Sequence, residues 1–254
     1  MENEEAECVN AVQKGFQIVE ALKSIEEAGV TEVSREVDMP KSTTHNYLKT
    51  LESSGMVINH DGHYRLSLKF LDLGGYARNH LEIYQAGKDE IDNLAEETGE
   101  LANLLVEENG KGVYIYQAEG ENTVPVDTWI GKRTHLTVTA LGKAILAHYS
   151  RDHVEEILDR HGLPELNDNT ITDPETFYSE LSRVSDRGVA FDDEERLDGI
   201  RCVAAPVRDA DGAVLGAISV AGPTHRLTGD YYEEELPERV LQAANVTELG
   251  VMYS

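Results

Sequence analysis

The sequence predicts an α+β chain in two parts, a small winged helix-turn-helix and a larger domain on an antiparallel sheet, joined by a linker helix. Three observations carry this. Three helical patterns and one tight hairpin follow one another within the first ~65 residues. Beyond residue 100, short apolar runs are joined through Asn-Gly and Asp-Gly turns. Helical patterns separate those hairpins, which is the α+β arrangement. With 254 residues the chain is long enough for two cores. The expected divisions are residues 10–67, a linker helix at 68–85, and a second domain at 86–254.

The first helix is marked by Val12, Phe16, Val19, Leu22 and Ile25 at three- and four-residue steps, with Gly29 closing it. Thr31 opens a short helix in which Val33 and Val37 form an i,i+4 apolar pair. Pro40 ends that helix and suits the first turn of the next, PKSTTHNYLKTLESSG. There Thr44, Tyr47, Leu48 and Leu51 share one face, and Ser42, His45, Asn46, Lys49 and Ser53 the other. Runs on either side of Asp61-Gly62 form a hairpin. In a winged helix the polar face of helix three enters the major groove and the hairpin lies along the phosphates.

Residues 68–98 read as two helices broken near Gly74-Gly75 and Gly87. LANLLVEE and GVYIYQAE follow as a hairpin around Asn109-Gly110, with VPVDTWI as a third strand candidate. TALGKAILAHY has the pattern of a helix packed on a sheet, and DHVEEILDR is short and amphipathic. Thr172-Asp173-Pro174-Glu175 has capping-box spacing and opens a helix that runs to Gly188. GIRCVAAPVRD and AVLGAISVAG pair around Asp211-Gly212, and a last helix is interrupted at Pro237.

Charge bears on the partner. The formal net charge is −26, whereas DNA affinity comes largely from cations placed on phosphates. The acid is concentrated late: residues 1–80 hold eight Lys/Arg against thirteen Asp/Glu, and residues 81–254 hold fourteen against thirty-five. Between 40 and 65, Lys41, Lys49 and Arg65 outnumber Glu52 and Asp61. Dispersed acid with few lysines is also what adaptation to strong salt produces, because screening removes the self-repulsion. The start, MENEEAEC, is the opposite of a secretory signal, and no run of ~18 apolar residues exists, so a cytoplasmic protein is expected. Cys8 and Cys202 are too far apart in the chain to read as a disulfide framework.

From about residue 10 the whole chain resembles the IclR family of transcription regulators. DMPKSTTHNYLKTLESSGMV is similar to its recognition-helix segment, and GKRTHLTVTALGKAILA to its Thr-Ala-x-Gly-Lys-Ala block. The stretch from Gly188 through Asp192, Glu195, Cys202, Val203 and Ala204 resembles the family signature in spacing and residue type. Asn46 departs from the arginine common on the recognition helix, and Arg208 from the signature's aromatic or histidine. The resemblance implies a six-stranded antiparallel sheet, a linker helix used in dimerisation, and homodimers or homotetramers on palindromic double-stranded operators, often as repressors. It also implies an effector pocket, carried over onto Thr139, Ala140, Asp192, Cys202, Ser219 and Ala221. Family effectors are mostly small organic or aromatic acids, and sugar-derived metabolites are a related expectation here.

The residues themselves give the DNA-facing set. Asn46 suits a bidentate contact to adenine, Lys49 a guanine or phosphate, and Lys41, His63 and Arg65 phosphates. Ser42, Thr43 and His45 complete that face. His45, His60 and His63 are irregularly spaced on different elements, so no metal is expected. Thr139-Ala140-Leu141-Gly142-Lys143 lacks the glycines of a phosphate loop, so neither a nucleotide nor another cofactor is expected. Its small residues at a helix start offer N–H groups to a carboxylate, with Lys143 read as structural. An acid at Asp192 favours hydroxyl-bearing or cationic ligands, and Ser219 has a hydroxyl to donate. Cys202 with Asp192 and His148 can also be arranged as a hydrolytic triad. A regulator, a Cys-dependent hydrolase and a protein-binding adaptor are therefore the three classes to separate, and the reading favoured is a regulator without enzymatic activity.

Overall fold

The computed structural model describes residues 9–253, so the MENEEAEC start and Cys8 lie outside it. Two compact units result, one ending at Ala77 and the other beginning at Arg78.

The first unit opens with α1 (Asn10–Ile25), which buries Ile18, Val19, Ala21 and Leu22. Val12 and Phe16, expected on the same buried face, are instead exposed. Glu26, at φ 62°, ends the helix. Gly29 does not close α1 as expected. It belongs to β1 (Glu27–Gly29), pairs with His63, and caps α2 (Val30–Glu36), its N–H donating to the Glu32 carboxylate at 2.8 Å. Next come α3 (Lys41–Ser53), β2 (Val57–His60) and β3 (His63–Leu66). Asp61 and Gly62 take φ 51° and 86°, the left-handed pair that a two-residue hairpin turn requires. The sheet order is β1-β3-β2, and Ile18, Leu22, Val33, Leu48, Val57 and Tyr64 form the core. Then α4 (Lys69–Asn79) runs straight through Gly74-Gly75 and buries no residue of its own.

The second unit opens with α5 (Glu82–Thr98), which also passes through its glycine, Gly87. The break therefore lies at residues 80–81, not at the glycines. Gly87 is a close-packing point: a Cβ there would stand 3.1 Å from the Thr247 methyl group. After β4 (Leu101–Glu108) and β5 (Lys111–Glu119), VPVDTWI forms no strand, and pairing resumes at β6 (Arg133–His135). The carbonyl of Asp127 is occupied by the Lys132 and Arg196 side chains rather than by a neighbouring strand. A 3₁₀ turn leads to α6 (Ala140–Leu146), α7 (Arg151–His161) and α8 (Pro174–Arg187). The cap of α8 is Asp173, not Thr172: its carboxylate accepts the Thr176 N–H at 2.8 Å. The chain continues as β7 (Ala190–Asp193), β8 (Ile200–Arg208) and β9 (Val214–Pro223). A π-turn at Tyr231–Glu235 precedes α9 (Leu236–Met252), whose first turn contains Pro237. The helical run begins at Gly229 and changes from π to α just before Pro237, so the proline marks an irregularity within it.

The six strands form one antiparallel sheet in the order β6-β5-β4-β9-β8-β7. Period-two alternation sends Ala102, Leu104, Val203, Ala205, Ile218 and Val220 to the side covered by α5 and α9. Leu105, Ala190, Cys202, Ala204, Ala217 and Ala221 face α6, α7 and α8. Among the described residues, no helix is long and apolar enough to cross a membrane.

Candidate functional site

In the first unit, burial divides α3 along its length. Thr44 and Leu48 are buried, Tyr47 and Leu51 pack partly against the core, and Lys41, Ser42, His45, Asn46 and Lys49 are exposed. Thr43 is half-buried at the edge of that face. On β3 the alternation exposes His63 and Arg65 around buried Tyr64. Arg65 pairs across the ladder with Ile58 on one side and Glu27 on the other. Lys49 is engaged, since its ammonium donates to Glu52 at 2.9 Å, and that carboxylate holds the lysine's pKa above its ordinary value. His60 lies beside Asp61, on a different element from His45.

The second unit contains a small cavity of about 30 Å3 on the α6 side of the sheet. Thr139, Asp192, Cys202, Ser219 and Ala221 line it, all five from the expected set. Ala140 does not. It is fully buried in the core with Leu136 and Leu141. Strand register explains the grouping: Asp192 faces Cys202, Cys202 faces Ala221, and Asn103 faces Ser219 across the β4–β9 seam. Asn103, Tyr114, Val126, Thr128 and Arg196 complete the polar and covering part of the wall, and the sequence did not single them out. The one signal available for Asn103 was an amide inside an apolar strand.

The lining is polar and under-satisfied. Asn103 Oδ1 and Thr128 Oγ1 are buried with no hydrogen-bond partner among the described residues. The Ser219 hydroxyl has no nitrogen or oxygen partner among the described residues and lies against the Cys202 thiol, where it offsets part of that group's upward pKa shift. Such groups cost free energy unless something bonds to them, and they mark a place built for a polar molecule.

Asp192 is held from its own loop, Oδ1 accepting the Glu195 N–H at 2.8 Å and the Arg196 N–H at 3.4 Å. Burial, and then the Glu195 charge, push its pKa up to about 6 against the pull of Lys143. Lys143 is fully buried and pairs with Glu195 Oε1, while Glu195 Oε2 has no partner among the described residues. Thr170 donates to the Glu195 carbonyl at 2.7 Å and fixes the loop from outside. At the start of α6, Thr139 takes the Gly142 N–H on Oγ1 and the Lys143 N–H on its carbonyl, so those two amides are already engaged.

Burial pushes the Cys202 thiol up to about 12, with the Asp192 charge adding to the shift. A thiol so placed is protonated at neutral pH and is no nucleophile. His148, the third member of the possible triad, has Arg208 and Glu248 as its charged neighbours, and burial lowers its pKa.

Comparison with known proteins bears on both units. Residues 11–59 match the IclR helix-turn-helix domain, and residues 76–247 match the bacterial transcriptional regulator IclR C-terminal domain. A probable HTH-type transcriptional regulator, ArcR of Halobacterium salinarum, is 34% identical over 97% of this chain and 95% of its own length. The HTH-type transcriptional regulator KdgR of Escherichia coli is 32% identical over 94% and 90%. The crystal structure of Thermotoga maritima IclR superposes with a TM-score of 0.80 at 28% identity, covering 96% of this chain and 99% of that one. With both halves matched in order and the six-stranded sheet in place, the chain belongs to the IclR family of DNA-binding transcriptional regulators.

Proposed function

We propose that this regulator binds a palindromic operator through α3 and the β2–β3 wing, and that a small organic acid or sugar-derived metabolite in the second unit sets its operator affinity. The observation that carries the effector reading is the cavity lined by buried, unpartnered Asn103 and Thr128 oxygens beside Asp192. A hydroxyl-bearing acid would supply the missing donors and acceptors. For DNA, the support is the exposure of Lys41, Ser42, His45, Asn46, Lys49, His63 and Arg65 in two adjoining elements, with Thr43 at their edge. Asn46 reads a base, and the cations hold phosphates. Such a protein acts in the cytoplasm, where the DNA is.

Operation as a homodimer is part of the reading. Leu68, just before α4, and Leu71, within it, are 76% and 71% exposed, and a helix that buries none of its own residues calls for a partner. Two copies present paired recognition helices, and effector binding changes their separation. The test is binding of the purified protein to its own upstream DNA across a salt series, with a panel of small acids and sugars. Saturable binding to a palindromic site, shifted by one compound, is expected. Specific binding that no compound alters would remove effector control, and absence of specific binding by folded protein would remove the operator reading.

A further inference from the structure

The cavity has about the volume of one water molecule, so no organic acid enters it unless part of the wall moves. Most of that wall is fixed. Strands β4, β8 and β9 are paired on both sides, and α6 is buried along its whole length. Two irregular stretches complete it: the loop 194–199, with Arg196 and Leu197, is tied down by Thr170 and Asp192, whereas segment 121–132, with Val126 and Thr128, is held less. Its ends are anchored by backbone bonds, Asn122 to Gly99 and Gly131 and Lys132 to Tyr114. Between them, among the described residues, one hydrogen bond reaches residues 124–130 from outside the segment: the Arg196 guanidinium donates to the Asp127 carbonyl at 2.8 Å.

Arg196 is also the cation of the cavity wall. It lines the cavity, and its charge opposes the upward shifts of Tyr114 and Cys202. No carboxylate lies within ion-pair distance of it among the described residues, in a chain with 48 acidic residues. A guanidinium bonded to a single carbonyl has its charge uncompensated by contact and most of its donors free, whereas a carboxylate meets both needs with two parallel bonds.

Resting on the effector reading and deepening it, we propose that Arg196 selects a carboxylate effector and latches segment 121–132 over the cavity. The bound carboxylate takes Arg196 from the Asp127 carbonyl, so that ligand recognition and release of the cover are one event. Arg196 faces the ligand's acid group, and Asn103, Thr128 and Ser219 face its hydroxyls.

The chain carries its own reporter. Trp129, its one tryptophan, lies in the cover, about half exposed, with the Lys132 ammonium 4.3 Å from its ring centre. In the full-length protein, Arg196→Gln is expected to raise acrylamide quenching of Trp129 at least twofold while the far-UV spectrum stays unchanged. Lactate, succinate and benzoate serve as probes, with lactamide, succinamide and benzamide as neutral controls. At least one acid should change Trp129 emission saturably where its amide does not. Its affinity should fall about ten- to a hundredfold in Arg196→Gln, the loss of a charge-assisted bond. Arg196→Lys, which keeps the charge without the fork, should fall between.

Unchanged quenching in Arg196→Gln overturns the latch. An amide that binds like its acid, an acid that binds Arg196→Gln as tightly as wild type, or no response to any of the acids overturns the selection of a carboxylate. Operator binding in the same samples separates this from the effector reading. A compound that shifts operator affinity equally in both proteins leaves effector control standing and removes Arg196. An acid that moves Trp129 through Arg196 without touching operator affinity does the reverse.

Discussion

Asp192 stands in the cavity wall with one oxygen on backbone N–H groups and a pKa raised by burial to about 6. Unfolded, the group titrates near 4. The fold therefore favours the protonated form: the stabilisation is complete below about pH 4 and is lost as pH rises through about 6. Between pH 4 and 7 the wild type should lose roughly 2–3 kcal/mol relative to Asp192→Asn, measured as the difference between their urea-unfolding free energies. Lys143 is a second case. Lys143→Met leaves the Glu195 carboxylate buried without its cation and should cost about 3–5 kcal/mol in the same assay, most of it recovered in Lys143→Met/Glu195→Leu. The spacing of Asp192, Glu195 and Cys202 was legible because it lies within one short stretch of chain. Asn103, Tyr114 and Arg196 were not. Which face Tyr114 takes depends on a register shift at Leu104/Leu105, and the Arg196 contact spans 69 residues of sequence. Neither leaves a local trace.

Elements were read best where packing agreed with periodicity, and misread where a residue served a distant partner. On α3 the polar and apolar faces fall as the heptad-like spacing requires, yet the Glu52 clasp on Lys49 changes what the helix offers to DNA. Glu52→Gln should release that ammonium, tighten operator binding and steepen its salt dependence by up to about one phosphate's worth. Fluorescence anisotropy over a salt series measures both, and weaker binding would place Glu52 itself at the interface. Gly87 looked like a helix breaker because glycine is costly inside a helix. Its actual use is to let α5 approach α9 at Thr247, which only the fold reveals. VPVDTWI alternates like a strand because Val126 and Thr128 point into the cavity, not because the segment has a neighbour to pair with. At α8, Asp173→Ala should lower the melting temperature, through loss of the cap that accepts from Thr176.

For the whole molecule, charge and assembly set the terms. With 48 acidic residues against 22 basic ones, folding crowds like charges together, and only screening makes that tolerable. Since the screening length falls from about 10 Å at 0.1 M to 3 Å at 1 M, the melting temperature should rise steadily with KCl over that range. A flat response would show that the acid is locally neutralised. DNA binding runs the other way with salt, so the operating range is a window. Lys41→Ala should flatten the salt dependence of operator binding by about one counterion, equally for all sequences. The central seam of the sheet, where β4 meets β9, has its own consequence. Asn103 and Ser219 come together there only after more than a hundred intervening residues have been made. During synthesis α3 is therefore complete long before the cavity exists. A chain ended by a premature stop before residue 214 would keep the N-terminal core and the exposed face of α3 while lacking β9, α9 and the part of the cavity wall formed by Ser219 and Ala221. On the proposed reading such a fragment keeps the DNA-binding elements without the effector cavity, which sets a premium on removing incomplete chains quickly.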